Sequence, residues 1–430
     1  MTSLHSSRRP RPTRRHFLRG AAALGAAAVA VPSLIPATAL SAPGRPGAND
    51  RVILGFIGTG GRARQLMDHV PEDGRIVAIS DCYASRMNET LQQKKADWKT
   101  YQYYEAMIDA ERLDAVVIAT PDHARVLPCI HACQAGLDVY AEKPLTVTIA
   151  EGRRLVEHAR KHKTVFQVGS QQRSMEMNRF ACELVRSGKI GSLKAVQGVC
   201  YSGPRDYDGL PAQPVPAGDD WDRWQGPTAG RPFNHALQFG WMGWRDYSGG
   251  EMTNWGAHGV DQIQWALGMC RSGPVEIRPI TPGPNGKVRM RYANDVTVYY
   301  DLERGPMGGG IFTGSDCKIE INRNKFVTNP PDFIKEPPQP ADAEKWEGEG
   351  WIARPHIQNW LDCIKTRELP TADVEIGHRS ISVCHLANLA RLLGRRLRWN
   401  PETEQFIDDP EANAYLTRPR RKGYELPEVG

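Results

Sequence analysis

Three groups of residues in this sequence have types and spacings suited to proton and hydride chemistry at a hydroxyl group. The first is Gly58-Thr59-Gly60-Gly61-Arg62-Ala63, a glycine-rich turn of the kind that lets a pyrophosphate approach the backbone. The second is Glu142-Lys143-Pro144, which sets an amine beside a carboxylate and before a proline that biases it towards extended geometry. The third runs Asn254-Trp255-Gly256-Ala257-His258-Gly259-Val260-Asp261, and on a helix Asn254, His258 and Asp261 share one face. A lysine or histidine can take the proton of a substrate hydroxyl while a neighbour fixes the histidine tautomer.

The flanking elements give the glycine turn its context. Arg51 to Ile57 reads as a strand, the turn opens a helix reaching Val70, and Arg75 to Ser80 is a second strand ending at Asp81. Gly58 permits the tight turn, Gly60 the approach of a pyrophosphate, and Ala63 close helix–strand packing, with Thr59, Gly61 and Arg62 beside them. Asp81 suits the ribose hydroxyls and would repel a 2′-phosphate, which favours NAD over NADP, while nearby Arg86 works against that preference. The alternation continues. Asp114 to Ala119 leads into Thr120-Pro121-Asp122-His123, a helix follows from Ala124 to Ala135, and the strand Asp138 to Ala141 leads into Glu142-Lys143-Pro144. Ile149 to His162 is helical and Thr164 to Gly169 is a further strand. This predicts an α/β Rossmann domain over 51–174, a parallel sheet with ligands beyond the carboxyl ends of its strands.

Gln167 to Arg173 leads out of that region, with Gln171 assigned to the cofactor and Arg173 to the substrate. A helix is expected from Met175 to Ser187. Strands are expected at Leu193–Tyr201, Val275–Ile280, Val288–Tyr292, Val296–Asp301 and Gly310–Thr313. Strands grouped with few helices between them predict an α+β domain with a largely antiparallel open sheet over 175–400. Pro330 to Gly350 reads as a long loop, His356–Thr366 and Glu375–Leu393 as helices, and 401–430 as an extension with little pattern. Six of the eleven tryptophans (221, 224, 241, 244, 255 and 265) fall between Trp221 and Trp265, which suggests a carbohydrate-sized cleft, with Trp241 assigned to the substrate.

Together, Gly58 to Ala63, Asp81, Thr120 to His123 and Glu142-Lys143-Pro144 resemble the Gfo/Idh/MocA family of NAD(P)-dependent oxidoreductases. The resemblance implies that Lys143 contacts both nicotinamide and substrate and that His258 is catalytic. It also implies that the open sheet face joins subunits, giving a homo-oligomer (dimer or tetramer). The family often has aspartate where this chain has Asn254, and a second histidine where it has Arg125. Asparagine takes no proton, so proton transfer is expected to fall to His258 and Lys143, with Asn254 orienting a hydroxyl. The substrate set is thus Lys143, Arg173, Trp241, Asn254, His258 and Asp261. No metal is expected, because His123, His258 and Asp261 lack ligand spacing.

The 430 residues have a formal net charge of +6. The first 42 residues hold six arginines (8, 9, 11, 14, 15 and 19) and no acid, and without them basic and acidic residues balance. That balance argues against a nucleic-acid partner. Arg14-Arg15 precede Phe17-Leu18 and an alanine-rich stretch to Ala39, which reads as a twin-arginine export signal over 1–42 with a linker arm at 43–50. No later segment has the apolar length of a membrane span, so none is expected in the mature form. Nine cysteines without a Cys-x-x-Cys pair read as buried small residues rather than a disulfide framework. Two enzymatic functions follow as expectations. One is net NAD-dependent oxidation of a sugar by an exported enzyme. The other is a closed redox cycle on tightly bound NAD, as in a glycosidase, epimerase or sugar–sugar oxidoreductase working through a keto-sugar. A non-catalytic nucleotide- or sugar-binding protein is the third reading, resting on Asn254.

Overall fold

The computed structural model describes residues 50–323, 325–335 and 353–430. The expected leader at 1–42, nearly all of the arm at 43–50 and most of the loop expected at 330–350 lie outside the described residues.

Branched apolar runs in the first third build six parallel strands: β1 (Val52–Ile57), β2 (Gly74–Ser80), β3 (Lys99–Tyr101), β4 (Ala115–Ile118), β5 (Asp138–Ala141) and β6 (Phe166–Val168). Their order is β3-β2-β1-β4-β5-β6, so the direction of winding reverses between β1 and β4, where such sheets open a crevice. The helices between them are α1 (Gly61–Asp68), α2 (Ala84–Lys94), α3 (Tyr104–Ala110), α4 (Val126–Gln134) and α5 (Ile149–Lys161). Sequence reasoning passed over α2, β3 and α3. α2 buries only Met87 and Thr90, and β3 has three residues and no buried one, so neither shows a clear apolar period.

The second half comprises α6 (Glu176–Arg186), β7 (Leu193–Val199), α7 (Trp221–Gln225), α8 (His235–Gly240) and α9 (Glu251–Ala266). These are followed by β8 (Pro274–Pro279), β9 (Val288–Tyr292), β10 (Thr297–Leu302), β11 (Gly310–Gly314), β12 (Lys318–Asn322) and β13 (Lys325–Asn329). Last come α10 (Arg354–Thr366), α11 (Val374–Leu393), β14 (Leu397–Asn400), β15 (Gln405–Phe406) and α12 (Pro410–Ala414). The strands form one sheet in the order β13-β12-β11-β7-β10-β9-β8-β14-β15, in which β7 and β10 pair in parallel and the other neighbours antiparallel. One face packs Val196, Met290, Val298 and Phe312 against Val260 and Ile263 of α9 and Ile381 and Leu386 of α11. Opposite, Gln197, Tyr299 and Ile311 stay partly exposed.

Two long-range connections hold the halves together. α10 sets Ile357, Trp360 and Leu361 against Leu54, Phe56 and Tyr140 of the parallel sheet, so a late helix covers one of its faces. Thr148 caps the start of α5: its Oγ1 accepts from Glu151 N at 3.4 Å, while Glu151 Oε2 accepts from N of Val147, the residue before the cap, at 3.3 Å. The buried Glu151 carboxylate also pairs with Arg418 and Arg420. Residues beyond Pro401, expected to lack pattern, thus form β15 and α12 and then return to the first domain. Removing one partner from such a buried cluster costs about 3–5 kcal/mol.

Candidate active site

A cavity of about 830 Å³ lies along the carboxyl ends of β1, β2, β4 and β5 and is closed by α9 and the chain around α7 and α8. Gly58 has φ +88°, and a Cβ there would meet Ala119 O at 2.9 Å, so both backbone and space demand glycine. Gly60 caps α1 without any side-chain bond, leaving the first N–H groups of the helix to face the cavity. A Cβ at Gly60 or Gly61 would meet no protein atom within 4 Å. Thr120 Oγ1 and Gln171 Oε1 belong to residues that line the same space, and both atoms are buried without a hydrogen-bond partner among the described residues. An uncapped helix start, open glycines and two orphaned polar atoms are what a bound dinucleotide needs.

Of the residues assigned to the cofactor, Gly58, Gly60, Gly61, Arg62, Asp81, Arg86, Thr120, Pro121, His123, Glu142, Lys143 and Gln171 line this cavity. Thr59 and Ala63 stand behind it. Ala63 is fully buried, and Thr59 donates from N (2.8 Å) and Oγ1 (2.9 Å) to Asp81 Oδ2. Asp81 Oδ1 accepts from Tyr83 N at 3.0 Å, so the carboxylate is held in place before any ribose reaches it. Arg86 lies over the Tyr83 ring at 5.0 Å. Arg62 Nε donates to Glu142 Oε1 at 2.7 Å; burial works against its charge, yet Glu142 holds its pKa above the usual value. His123 is built into the wall: Nε2 donates to Trp224 O at 2.8 Å, its ring lies 4.9 Å from Trp224 and Tyr247, and burial lowers its pKa to about 3.

Lys143, Asn254 and His258 converge on one part of the cavity. Lys143 Nζ donates to Asn254 Oδ1 at 2.9 Å and to Asn254 O at 3.2 Å, and Asn254 Nδ2 donates to Glu251 Oε2 at 3.1 Å. Burial lowers the Lys143 pKa to about 8, against the pull of Glu142 and Asp122. His258 is 4 % exposed, and its ring nitrogens have no hydrogen-bond partner among the described residues. Burial, then Lys143, Arg323 and Arg62, push its pKa well below 6.5, so it is neutral near pH 7.

Arg173 and Asp261 leave the substrate set. Arg173 Nε donates to Asp261 Oδ1 (3.0 Å) and Oδ2 (2.8 Å), Nη2 donates to Oδ1 at 2.9 Å, and Ser380 Oγ donates to Oδ1 at 2.7 Å. The two side chains are each 3 % exposed, and neither residue lines the cavity. The physical reason is pairing. A carboxylate three residues after His258 finds a guanidinium between α9 and α11 and turns away from the cleft. The tryptophans divide likewise. Trp224 and Trp241 line the cavity, Trp221 and Trp244 are core, and Trp255 and Trp265 lie beside Arg323 and Arg173.

Two residues stand out beyond the assigned set. Arg125 donates to Pro144 O and Thr120 O and, at 3.4 Å, to Asp122 Oδ1, tying together the loops after β4 and β5. Asp122 Oδ2 accepts from Ser248 Oγ at 2.8 Å just before α9, so this buried carboxylate sets the Lys143 loop against the helix bearing His258. Its place in Thr120-Pro121-Asp122-His123 was the available signal.

Two family models match. One, described as an oxidoreductase family NAD-binding Rossmann fold, matches residues 52–170, and the other, an oxidoreductase family C-terminal alpha/beta domain, matches residues 201–426. The chain belongs to the Gfo/Idh/MocA oxidoreductase family. Within the family it is 27% identical over 221 residues to the rhizopine catabolism protein MocA of Rhizobium meliloti, covering 51% of this chain and 58% of that protein. It is 32% identical over 150 residues to the inositol 2-dehydrogenase of Leifsonia xyli subsp. xyli, covering 33% of this chain and 44% of that protein. The chain thus spans about half the length of the curated relatives it matches. The WlbA dehydrogenase of Chromobacterium violaceum, solved with NADH and UDP-GlcNAcA, shares the fold at TM-score 0.59 and 17% identity over 83% of this chain and 98% of that one. The aldose-aldose oxidoreductase of Caulobacter crescentus, solved with glycerol, does so at TM-score 0.57 and 18% identity over 81% and 99%. The first domain of this family member is an NAD-binding Rossmann domain. Among the described residues no cluster suits a metal ion, and no helix is long and apolar enough to cross a membrane.

Proposed function

We propose that the chain is an NAD-dependent oxidoreductase that removes a hydride from a hydroxyl-bearing carbon of a sugar or sugar derivative. The observation that carries this reading is the convergence of Lys143 and His258 inside a cavity shaped for a dinucleotide. Bound nicotinamide supplies the hydride acceptor.

The rest is done by side chains. Two N–H groups of Lys143 point to the two oxygens of Asn254, which leaves the remaining tetrahedral position of Nζ for the cavity. Asn254 is neutral, so nothing in that pair holds a third proton on the amine. With its pKa lowered to about 8, Lys143 is a free amine in about a tenth of molecules at pH 7 and about half at pH 8, and in that form it accepts the hydroxyl proton. Neutral His258 keeps one nitrogen as donor and one as acceptor, and positions the hydroxyl rather than ionising. His258 was expected to take the proton; its pKa, well below that of Lys143, favours the lysine as base.

Asp81, held by Thr59 and Tyr83, favours ribose hydroxyls over a 2′-phosphate, which supports NAD as the cofactor. Trp241 offers an apolar ring beside the site for a sugar C–H face. The partly exposed sheet face around Gln197, Tyr299 and Ile311 supports a homo-oligomer, and Arg14-Arg15 support export through a twin-arginine route. The test is incubation with NAD and a panel of sugars, cyclitols and glycosides. Reduced nicotinamide or a modified sugar supports the reading. A protein that binds dinucleotide yet alters none of them, across a broad panel, contradicts it.

A further inference from the structure

One wall of the dinucleotide cavity comes from the second half of the chain. Between Pro216 and Pro227 the backbone passes across the carboxyl ends of β2, β3 and β4, and it is anchored at each. At β2, Asp220 N donates to Cys82 O at 3.0 Å and Ser85 Oγ donates to Asp219 Oδ1 at 3.2 Å. Beyond β3, Tyr103 Oη donates to Asp220 Oδ2 at 3.1 Å, and Arg223 pairs with Glu105. After β4, the His123 ring donates to Trp224 O at 2.8 Å.

A second layer fixes this segment from outside. Arg421 donates from Nε to Gly226 O at 2.8 Å and from N to Pro227 O at 3.1 Å. Arg418 Nη2 donates to His123 O at 3.1 Å, and Arg418 is itself held by buried Glu151. The C-terminal residues therefore lock both the segment and the loop it is anchored to.

We propose that residues 216–227 form a strap that retains the dinucleotide through turnover. This rests on the reading of the cavity as a dinucleotide site. The strap residues Asp219, Arg223 and Trp224 share the cavity lining with Asp81 and Arg86, the pair assigned to the adenosine ribose in the dinucleotide reading. Exit past that pair requires anchors on three strand ends to part together, which makes release slow. Retention also fixes the electron balance. The hydride taken from a sugar carbinol carbon, leaving a carbonyl, returns to a carbonyl carbon of the same or a second sugar before the cofactor leaves, and the hydroxyl proton taken up by Lys143 returns to that carbonyl's oxygen.

The test is a release rate. The full chain is loaded with NADH, chased with excess NAD, and followed by nicotinamide fluorescence. Wild type is expected to release NADH at least tenfold more slowly than the double variant Arg223→Ala, Arg421→Ala. Ser85→Ala, which removes one exposed anchor, is expected to give a smaller rise without loss of fold. Wild-type release as fast as that of both variants overturns the strap while leaving the dinucleotide site intact. A chain that binds no NADH at all overturns both readings.

Discussion

Lys143 Nζ lies 2.9 Å from Asn254 Oδ1, so the side chain that meets this half-buried amine is a neutral amide. A carboxylate at 254 would stabilise the ammonium, and a favourable charge at this range raises a pKa by about 1–3 pH units. Wild-type kcat/KM is therefore expected to rise with pH through about 8, where Lys143 loses its proton. In Asn254→Asp the same limb moves up by about one pH unit or more. Superimposable pH profiles of the two proteins would show that Lys143 is not the titrating base.

His258 tests the division of labour. Because its ring is neutral and has no hydrogen-bond partner among the described residues, His258→Ala is expected to lower kcat roughly 100-fold by losing the positioned hydroxyl. Dinucleotide affinity is expected to stay unchanged, and the limb near pH 8 to persist because it belongs to Lys143. Disappearance of that limb in His258→Ala would return the base to histidine.

Gly60 separates binding from folding. Its φ of −67° and ψ of −179° are open to any residue, and a Cβ there meets no protein atom. Gly60→Val is expected to cost at most about 1 kcal/mol as a poorer helix cap, read from thermal melting. NADH affinity, measured by fluorescence titration, is expected to fall more than tenfold because the side chain occupies the space for the pyrophosphate.

Asp261 tests the reassignment away from substrate. Asp261→Asn leaves the Arg173 guanidinium buried without its counter-charge, so a loss of about 3–5 kcal/mol in stability is expected from denaturant unfolding. The KM for sugar is expected to stay put. A raised KM at unchanged stability would restore Asp261 to the binding site.

What the sequence disclosed, and what it hid, follows from the range over which each feature is encoded. Gly58, Asp81 and Lys143 were legible because strand, turn and motif lie within a few residues of one another, and the parallel sheet followed from the same alternation. Arg173 and Asp261 looked like site residues because each lies within three residues of one that lines the cavity, but their partnership spans 88 positions and has no local signature. Likewise, Arg418 and Arg421 act on the backbone of His123 and Gly226, contacts across some 200 to 300 residues in which the recognised group carries no sequence information. The tryptophans show a limit of composition: six rings cluster in sequence, but folding puts two at the cavity and the rest against core or arginine.

In the proposed reaction Lys143 takes the proton while hydride passes to nicotinamide in the same cavity. It is tested most directly by loading wild type and Lys143→Met with NAD and mixing each with a substrate identified from the panel. Absorbance of reduced nicotinamide is then followed over a single turnover. A prompt signal is expected from wild type. With NAD at saturation, a rate lower by roughly 100-fold or more is expected from Lys143→Met. Reduction by Lys143→Met at the wild-type rate would contradict a role for Lys143 as the base.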